Sequence, residues 1–191
     1  MKAAFIVFDR MTLLDFIGFY DAMTRLKSMH IQPDFEWRIC SRTPTVSDDR
    51  GITMQVDSVG EPLAGYDLLY IPGGQGTRAL QHDAAHLEWI RTASDAPLKV
   101  SVCTGSLILG AAGFLQGKRA TTHPGALEEL KPYCASVLTD RIVDEGAVIT
   151  GGGVATSIDL GLHVASRLAG AEARARIAKQ MDYPYGPAAV V

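Results

Sequence analysis

Cys103 is the residue whose type and position best suit covalent chemistry. It follows the apolar run Lys99–Val102 and passes at once into the small residues Thr104, Gly105 and Ser106. A cysteine at such a strand-to-helix turn has a strained backbone and faces the N–H groups and positive dipole end of the helix. This setting predicts a nucleophile whose thiol is shifted towards thiolate. The alternative is a small buried hydrophobic residue, a common fate of free cysteine.

Two aspartates are candidates for moving protons. Asp15 lies between Leu14 and Phe16, and Asp159 lies between Ile158 and Leu160. An acid among large apolar residues either faces solvent or stays in a partly dry site with a partner. Desolvation would raise its pKa and make it a useful general acid or base. Helical spacing alone does not decide between the two aspartates.

Two glycine-rich turns follow predicted strands. The turn 72–76 has the sequence Pro-Gly-Gly-Gln-Gly, and its N–H groups could form an anion nest or half of an oxyanion hole. The turn 151–153, three glycines before a predicted helix, is either a tight packing turn or a wall of the site. Neither turn matches a dinucleotide or triphosphate signature.

The other cysteines and histidines carry weaker signals. Cys40 ends a predicted strand and Cys134 lies in a predicted loop, so both are expected to be structural or incidental. His123 precedes Pro124, and a structural or supporting role is favoured over a Cys-His pair. No Cys-x-x-Cys pair is present, and no spacing among histidines and acids resembles a metal site.

The elements that must position these residues alternate between strands and helices, which is typical of an α/β fold with a parallel sheet covered on both faces. The predicted strands are Lys2–Phe8, Phe35–Cys40, Leu68–Ile71, Lys99–Val102 and Ala147–Thr150, with weaker candidates at Met54–Val56 and Ser136–Leu138. The predicted helices are Thr12–Met29, Gly76–Gln81, His86–Ala93, Thr104–Ala112, Gly125–Leu130, Val154–Leu168 and Ala171–Gln180. The glycine turns fall at strand ends, where such a sheet binds its ligands.

Composition excludes several classes of function. The 191 residues are 47% apolar and 20% charged, and they carry a net charge of −3, which predicts one globular domain over residues 1–191. That balance lacks the basic excess of a nucleic-acid-binding protein. The apolar run 3–8 is too short for a signal peptide or membrane span, so we expect a cytoplasmic protein that does not bind membranes. Three cysteines do not form a disulfide framework.

The segment 101–123 closely resembles the ThiJ/PfpI superfamily, and within it the isocyanide hydratases. The resemblance continues through residues 14–18, 71–76, 150–154 and 157–159, and so covers nearly the whole chain. The elbow and glycine turns mark the superfamily. The narrower signature, similar to that of the hydratases, is Asp15 together with Cys103 and Thr104.

The resemblance implies a flavodoxin-like three-layer sandwich, a homodimer and catalysis without metal or organic cofactor. It implies that Cys103 attacks an isocyanide carbon to form a thioimidate, which water hydrolyses to an N-substituted formamide. Asp15 would serve as the general acid and base. The N–H groups of Gly74 and Thr104 would anchor the substrate, with the Thr104 hydroxyl contacting Asp15 or substrate. A homodimer is compatible with the apolar Phe16, Phe19 and Tyr20, which follow the candidate acid on one early helix.

Two departures from related sequences affect this interpretation. Many superfamily proteases have histidine directly after the cysteine, whereas Thr104 stands here, which disfavours a Cys-His mechanism. Many hydratase-like sequences have tryptophan where this chain has Pro124, so a pocket or dimer wall differs. The alternatives within the superfamily are a non-enzymatic sensor that uses Cys103 oxidation and a glyoxalase-like enzyme.

Overall fold

The computed structural model describes residues 1–191 and has a seven-stranded sheet at its centre. In chain order the strands are β1 (Lys2–Ile6), β2 (Glu36–Ser41), β3 (Thr45–Ser47), β4 (Thr53–Gln55), β5 (Ser58–Val59), β6 (Leu68–Ile71), β7 (Leu98–Val102), β8 (Arg119–Ala120), β9 (Ser136–Val137), β10 (Ile142–Asp144) and β11 (Val148–Gly151). The central sheet has the order β10-β11-β7-β6-β1-β2-β5, and only the pairing of β10 with β11 is antiparallel. The fold is therefore a flavodoxin-like α/β sandwich, as the sequence predicts.

Helices flank this sheet, and two small sheets lie outside it. The helices are α1 (Leu13–Ser28), α2 (Thr77–Leu80), α3 (Ala84–Arg91), α4 (Gly105–Ala111), α5 (Leu127–Leu130) and α6 (Thr156–Gln180). Strands β3 and β4 form an antiparallel hairpin, and β8 pairs in parallel with β9. None of the helices combines the length and the hydrophobicity that a membrane crossing requires.

The strand interiors are apolar because the central strands are covered on both faces. All four residues of β6 and all five of β7 are buried, and the apolar ones belong to one hydrophobic core of 46 buried residues. Tyr70 on β6 stacks on Phe19 of α1, with ring centroids 3.8 Å apart and planes 4° from parallel. This stack fixes α1 against the strand that leads into the first glycine turn.

Helices α1 and α6 pack together through small residues. A Cβ added at Gly161 of α6 would lie 2.8 Å from the Ala22 Cβ of α1, closer than a side chain tolerates. Gly18 of α1 is equally tightly packed against the Ser157 side chain. The close approach holds the first turn of α1, which carries Asp15, in a fixed place relative to α6.

The topology brings three chain segments to one edge of the sheet. The chain leaves β1 for β2 on one side, and later returns to β6 on the other side of β1. In open α/β sheets, ligands bind at this point of reversal, outside the carboxyl ends of the strands. The segments after β1, β6 and β7 all emerge there, and they contain Asp15, Gly73 and Cys103 respectively.

Most predicted elements are confirmed, with shifts of at most two residues at their ends. The predicted interruption between Leu168 and Ala171 is real, because Gly170 has a non-helical backbone with φ 89° inside α6. The segment predicted as the helix Gly125–Leu130 is instead a 3₁₀ turn at Pro124–Ala126 followed by the short α5. The short strands β3, β5, β8 and β10 are not predicted from the sequence.

Candidate active site

Cys103 occupies a strained turn between β7 and α4. Its φ is 53°, a left-handed conformation that costs a non-glycine residue on the order of 1–3 kcal/mol. The Cys103 N–H donates to the carbonyls of Gly151 at 3.0 Å and Gly152 at 2.7 Å. Its carbonyl accepts from the hydroxyls of Ser106 at 3.1 Å and Thr122 at 3.0 Å. These four contacts from three segments keep the turn strained, and they give it the geometry of a nucleophile elbow.

Gly73 is the point around which the reactive groups gather. A Cβ added there would lie 2.7 Å from each of three atoms: Asp15 Oδ2, Cys103 Cβ and the Thr104 backbone nitrogen. Contacts this short do not occur for real side chains, so the position requires glycine. The absence of a side chain at Gly73 thus lets the acid, the thiol and the start of α4 meet.

Asp15 is completely buried, and only one oxygen of its carboxyl group has a hydrogen-bond partner. Oδ2 accepts the Gly73 N–H at 2.9 Å, whereas Oδ1 is buried and has no hydrogen-bond partner. Burial raises the pKa of Asp15 to about 7, while hydrogen bonds from Gly73 and Cys103 lower it and the charge of Asp49 raises it further. The carboxyl group can therefore gain and lose a proton near neutrality.

The Cys103 thiol is 5% exposed and lies beside this acid. Burial raises its pKa to about 12, and the charge of Asp15 adds to that rise, whereas the neighbouring N–H and hydroxyl of Thr104 oppose it. The expected shift towards thiolate is therefore wrong for the resting site. The start of α4 does favour the thiolate, but desolvation and a neighbouring carboxylate have the larger effect.

Thr104 and Gly74 bond to each other. The Gly74 N–H donates to Thr104 Oγ1 at 3.0 Å, and Thr104 Oγ1 donates to the Gly74 carbonyl at 3.2 Å. The Gly74 N–H is thus occupied by the threonine hydroxyl, and that hydroxyl is not bonded to Asp15. The Thr104 N–H has no backbone acceptor, and its position next to Cys103 lowers the pKa of the thiol. Of the two expected N–H anchors, the one on Thr104 is adjacent to the sulfur.

His123 and Asp159 lie outside this cluster of reactive groups. The Nδ1 of His123 accepts the Gly125 N–H at 3.0 Å and so caps a short 3₁₀ turn. Asp159 accepts from Arg141 Nε at 2.8 Å and from the Tyr183 hydroxyl at 2.6 Å. Both side chains have structural partners, and neither is bonded to Cys103 or Asp15.

The remaining cysteines have ordinary surroundings. Cys40 is buried near the Tyr66 hydroxyl, and burial raises the pKa of its thiol. Cys134 is half-buried, with its sulfur 3.7 Å from the Leu130 carbonyl. No three or more His, Cys, Asp or Glu side chains cluster in a way that could hold a metal ion.

A cavity of about 210 Å³ adjoins the Cys103 turn. It is lined by ten residues from three stretches of the chain: Thr121, Thr122, Pro124, Leu127, Thr139, Asp140, Arg141, Gly152, Gly153 and Thr156. Two of them, Thr122 and Gly152, also hold the Cys103 backbone. The glycine turn 151–153 is therefore both a packing turn behind Cys103 and, through Gly152 and Gly153, a cavity wall.

Several residues that hold Cys103 and Asp15 in place are not predicted from the sequence. Ser106 and Thr122 bond the Cys103 carbonyl, and the Tyr70 hydroxyl donates to the Asp15 carbonyl at 2.6 Å. Ser106, three residues after Cys103, lies within one helical turn, and this spacing could have indicated its contact. Thr122 and Tyr70 are separated from their partners by 19 and 55 residues, so only the fold reveals those contacts.

Known sequences that are similar to this chain come from one family. The model of the DJ-1/PfpI family matches residues 1–167. An isonitrile hydratase of Pseudomonas putida is 35% identical over 189 residues, which are 98% of this chain and 80% of that protein. Protein DJ-1alpha of Drosophila melanogaster is 29% identical over 150 residues, covering 78% of this chain and 67% of that one.

Solved structures are similar over almost the entire chain. A ThiJ/PfpI family protein from Pseudomonas syringae superimposes with a TM-score of 0.87 at 28% identity, covering 97% of this chain and 76% of that one. Drosophila melanogaster DJ-1beta superimposes with a TM-score of 0.83 at 22% identity, covering 96% of this chain and 98% of that one. The second likeness concerns the fold alone.

Proposed function

The chain belongs to the DJ-1/PfpI family, and from this premise we propose that it is an isocyanide hydratase that needs no metal or organic cofactor. The observation that carries the proposal is the state of Asp15. Oδ2 of its carboxyl group is fixed by the Gly73 N–H close to Cys103, and Oδ1 is buried without a hydrogen-bond partner. The 35% identity to an isonitrile hydratase over nearly the whole chain supports the choice of substrate class.

The first half of the reaction forms a thioimidate. Cys103 Sγ bonds to the terminal carbon of the isocyanide, and the thiol proton passes through Asp15 to that same carbon. Because the thiol is protonated at rest, Asp15 has to accept its proton as the sulfur attacks. A carboxylate with a pKa of about 7 is a suitable acceptor, and it becomes a suitable donor in the next instant.

The second half consumes water. Asp15 takes a proton from a water molecule as the water oxygen bonds to the thioimidate carbon, and it passes this proton to the nitrogen. The carbon–sulfur bond then breaks, the hydroxyl proton of the adduct returns through Asp15 to the Cys103 sulfur, and the formamide leaves. One isocyanide and one water give one N-substituted formamide, so no external oxidant or reductant is needed. The Thr104 N–H is placed to stabilise negative charge that develops on the sulfur.

The raised pKa of the thiol weighs against the sensor alternative. Oxidation of cysteine by peroxide proceeds through the thiolate, and the buried Cys103 beside a carboxyl group disfavours that form. A nucleophile that is deprotonated only while it attacks suits an enzyme better. The glyoxalase-like alternative also needs a reactive cysteine. Only assays with both substrates therefore distinguish it from the hydratase.

The decisive experiment compares substrates on one purified protein. It is incubated with an alkyl and with an aryl isocyanide, and formamide is followed by chromatography, with methylglyoxal consumption measured in parallel. We expect formamide from the wild type and none from Cys103→Ser. Consumption of methylglyoxal without formamide would instead support the glyoxalase-like activity, and no turnover of either would leave the sensor role.

We further propose that the protein is a homodimer, and that the exposed side of α1 forms the contact. Phe16 and Phe19 are buried in the core, whereas Leu14 and Ile17 on the opposite side of α1 are 49% and 42% exposed. Sedimentation at micromolar concentration should give the mass of two chains. Leu14→Glu should give monomers if this face is the contact. The cytoplasmic location and the lack of nucleic-acid partners stay predictions.

A further inference from the structure

The β3–β4 hairpin places a charged pair next to the start of α1, the helix that carries Asp15. The hairpin loop is built around Asp48, whose Oδ1 accepts the N–H groups of Arg50 at 2.9 Å and Ile52 at 2.8 Å. This turn presents Asp49 and Arg50 side by side, and Arg50 Nη1 donates to Asp49 Oδ1 at 2.7 Å. Asp49 is largely covered, whereas Arg50 extends into solvent.

The pair is fixed to the active-site helix through two hydrogen bonds. The Asp49 N–H donates to the Met11 carbonyl at 2.9 Å, and Asp49 Oδ2 accepts from the Thr12 hydroxyl at 3.3 Å. Thr12 is the residue that starts α1, and its carbonyl accepts the Asp15 N–H at 3.0 Å. Because these contacts are within one turn of Asp15, the charge of Asp49 is held at a constant position relative to the acid.

The same segment connects to the glycine turn. Met11 forms bridges with Asp48 on one side and with Gly74 on the other, and the Thr12 N–H donates to the Gly73 carbonyl at 2.9 Å. The hairpin loop, residues 11–12 and the turn that holds the Asp15 carboxyl are therefore one hydrogen-bonded unit. A charge on the hairpin cannot move independently of the site.

The titratable groups that act on Asp15 come from three neighbouring elements. They are the Cys103 thiol after β7, the Tyr70 phenol on β6 and the Asp49 carboxylate on the hairpin. The phenol is neutral near pH 7, because burial raises the pKa of Tyr70 well above its ordinary value. No lysine or arginine contacts Asp15, so Asp49 is the one fixed charge among these groups.

We propose that Asp49 and Arg50 act as an opposed pair of positioning charges that sets the pH at which the Asp15–Cys103 pair loses its first proton. Asp49 disfavours that loss, because a second negative charge nearby repels the one being formed. Arg50 partly offsets this effect by neutralising Asp49. The inference rests on the proposed roles of Asp15 and Cys103 but not on the identity of the substrate.

The two residues therefore predict shifts of opposite sign. Asp49→Asn keeps an oxygen that can accept a hydrogen bond from the Thr12 hydroxyl but removes the charge, so the pH at which the Asp15–Cys103 pair has half lost its first proton (the midpoint pH) should fall. Arg50→Gln leaves the Asp49 charge uncompensated, so the midpoint pH should rise. Because these charges act across partly solvated surroundings, each shift should be on the order of a few tenths of a pH unit. Arg50→Lys keeps the charge and is the matched control, with no shift expected.

The test measures the rate of iodoacetamide labelling of Cys103 against pH, with mass mapping to separate it from Cys40 and Cys134. This readout needs no isocyanide, so a wild type that makes no formamide would refute the proposed function without touching the inference. The shifts should shrink in about 0.5 M salt, because salt screens partly exposed charges. A change of packing alone would not respond to salt.

Unchanged midpoints in both variants, or shifts of the same sign, would overturn the inference. Thermal unfolding is recorded for each variant to show that it folds. If Asp49→Asn fails to fold because the Thr12 contact is lost, Arg50→Gln and Arg50→Lys decide the question alone. A raised midpoint pH in Arg50→Gln and an unchanged one in Arg50→Lys support the inference, and any other combination contradicts it.

Discussion

The hydroxyl of Tyr70 donates a 2.6 Å hydrogen bond to the backbone carbonyl of Asp15, inside the core. The same tyrosine ring stacks on Phe19, one helical turn after Asp15. Strand β6 thus holds the first turn of α1 at two points, one polar and one aromatic. Because the chain that follows β6 also supplies the Gly73 N–H to the Asp15 carboxyl group, one strand fixes both the backbone and the side chain of the acid.

Tyr70→Phe should retain the stacking on Phe19 and lose only the hydrogen bond to the Asp15 carbonyl. We expect a folded protein that is less stable by about 1 kcal/mol, the usual net value of one hydrogen bond. Turnover of isocyanide should fall several-fold with little change in KM, because the acid is less firmly placed. Steady-state kinetics and urea unfolding measure the two effects. Tyr66→Phe, at a tyrosine away from the site, is the control, and equal losses in both variants would contradict a specific role for Tyr70.

Cys103→Ser should abolish turnover if the reaction is covalent. Serine is a far weaker nucleophile near neutrality, and Asp15 is too weak a base to ionise it. Wild-type protein mixed with isocyanide and quenched in acid should show an adduct of the mass of the substrate on Cys103 by intact mass spectrometry, which then disappears as formamide forms. Formamide production by the serine variant at the wild-type rate would mean that Asp15 activates water directly.

Asp15→Asn should be inactive but more stable than the wild type above neutral pH. The pKa of Asp15 rises from 3.8 in the unfolded chain to about 7 in the fold, so the folded state binds its proton more tightly. The associated stability is fully present below pH 3.8 and is lost as pH rises through 7, with an upper limit of about 4 kcal/mol. Asparagine is neutral throughout and lacks this loss.

Urea unfolding of both proteins at pH 5 and pH 8 measures that difference. The wild type should lose more stability than Asp15→Asn between the two pH values. Parallel losses would mean that the carboxyl group is not destabilised by burial in the fold. Turnover by a folded Asp15→Asn protein near the wild-type rate would transfer the proton-moving role to another group.

Gly73→Ala tests whether the three reactive groups need the empty space between them. The new methyl group would lie 2.7 Å from the Asp15 carboxyl, the Cys103 Cβ and the Thr104 nitrogen, so they must separate. We expect a loss of stability of about 1–3 kcal/mol and a loss of more than about tenfold in kcat. Gly186→Ala, where a Cβ meets nothing within 4 Å, is the control and should leave both quantities unchanged.

The sequence predicts the central sheet well because its strands are continuous apolar runs, as Leu68–Ile71 shows. The missed strands have two or three residues and carry no periodic pattern; β5, for example, is only Ser58–Val59. Their pairing depends on neighbours that the fold provides. Local β-strand propensity does not determine strands this short.

The reactive centre was predictable where its signals are local. Cys103 stands at a turn visible in a dozen residues, and Asp15 stands out as an acid among apolar neighbours. The protonation state of the thiol was not predictable, because it depends on how deeply the turn is buried and on the distance between two residues 88 positions apart in the chain. Both are properties of the packed molecule.

The cavity that adjoins the Cys103 turn is lined by none of the reactive side chains. Leu127 at the start of α5, and Thr139 and Asp140 from a loop, line it and make no hydrogen bond to Cys103 or Asp15. Substitutions at these positions can therefore change the shape of the cavity while the thiol and the acid keep their geometry. In this scaffold the surface next to the reactive turn can vary in evolution at small cost to the sheet that holds the reacting atoms.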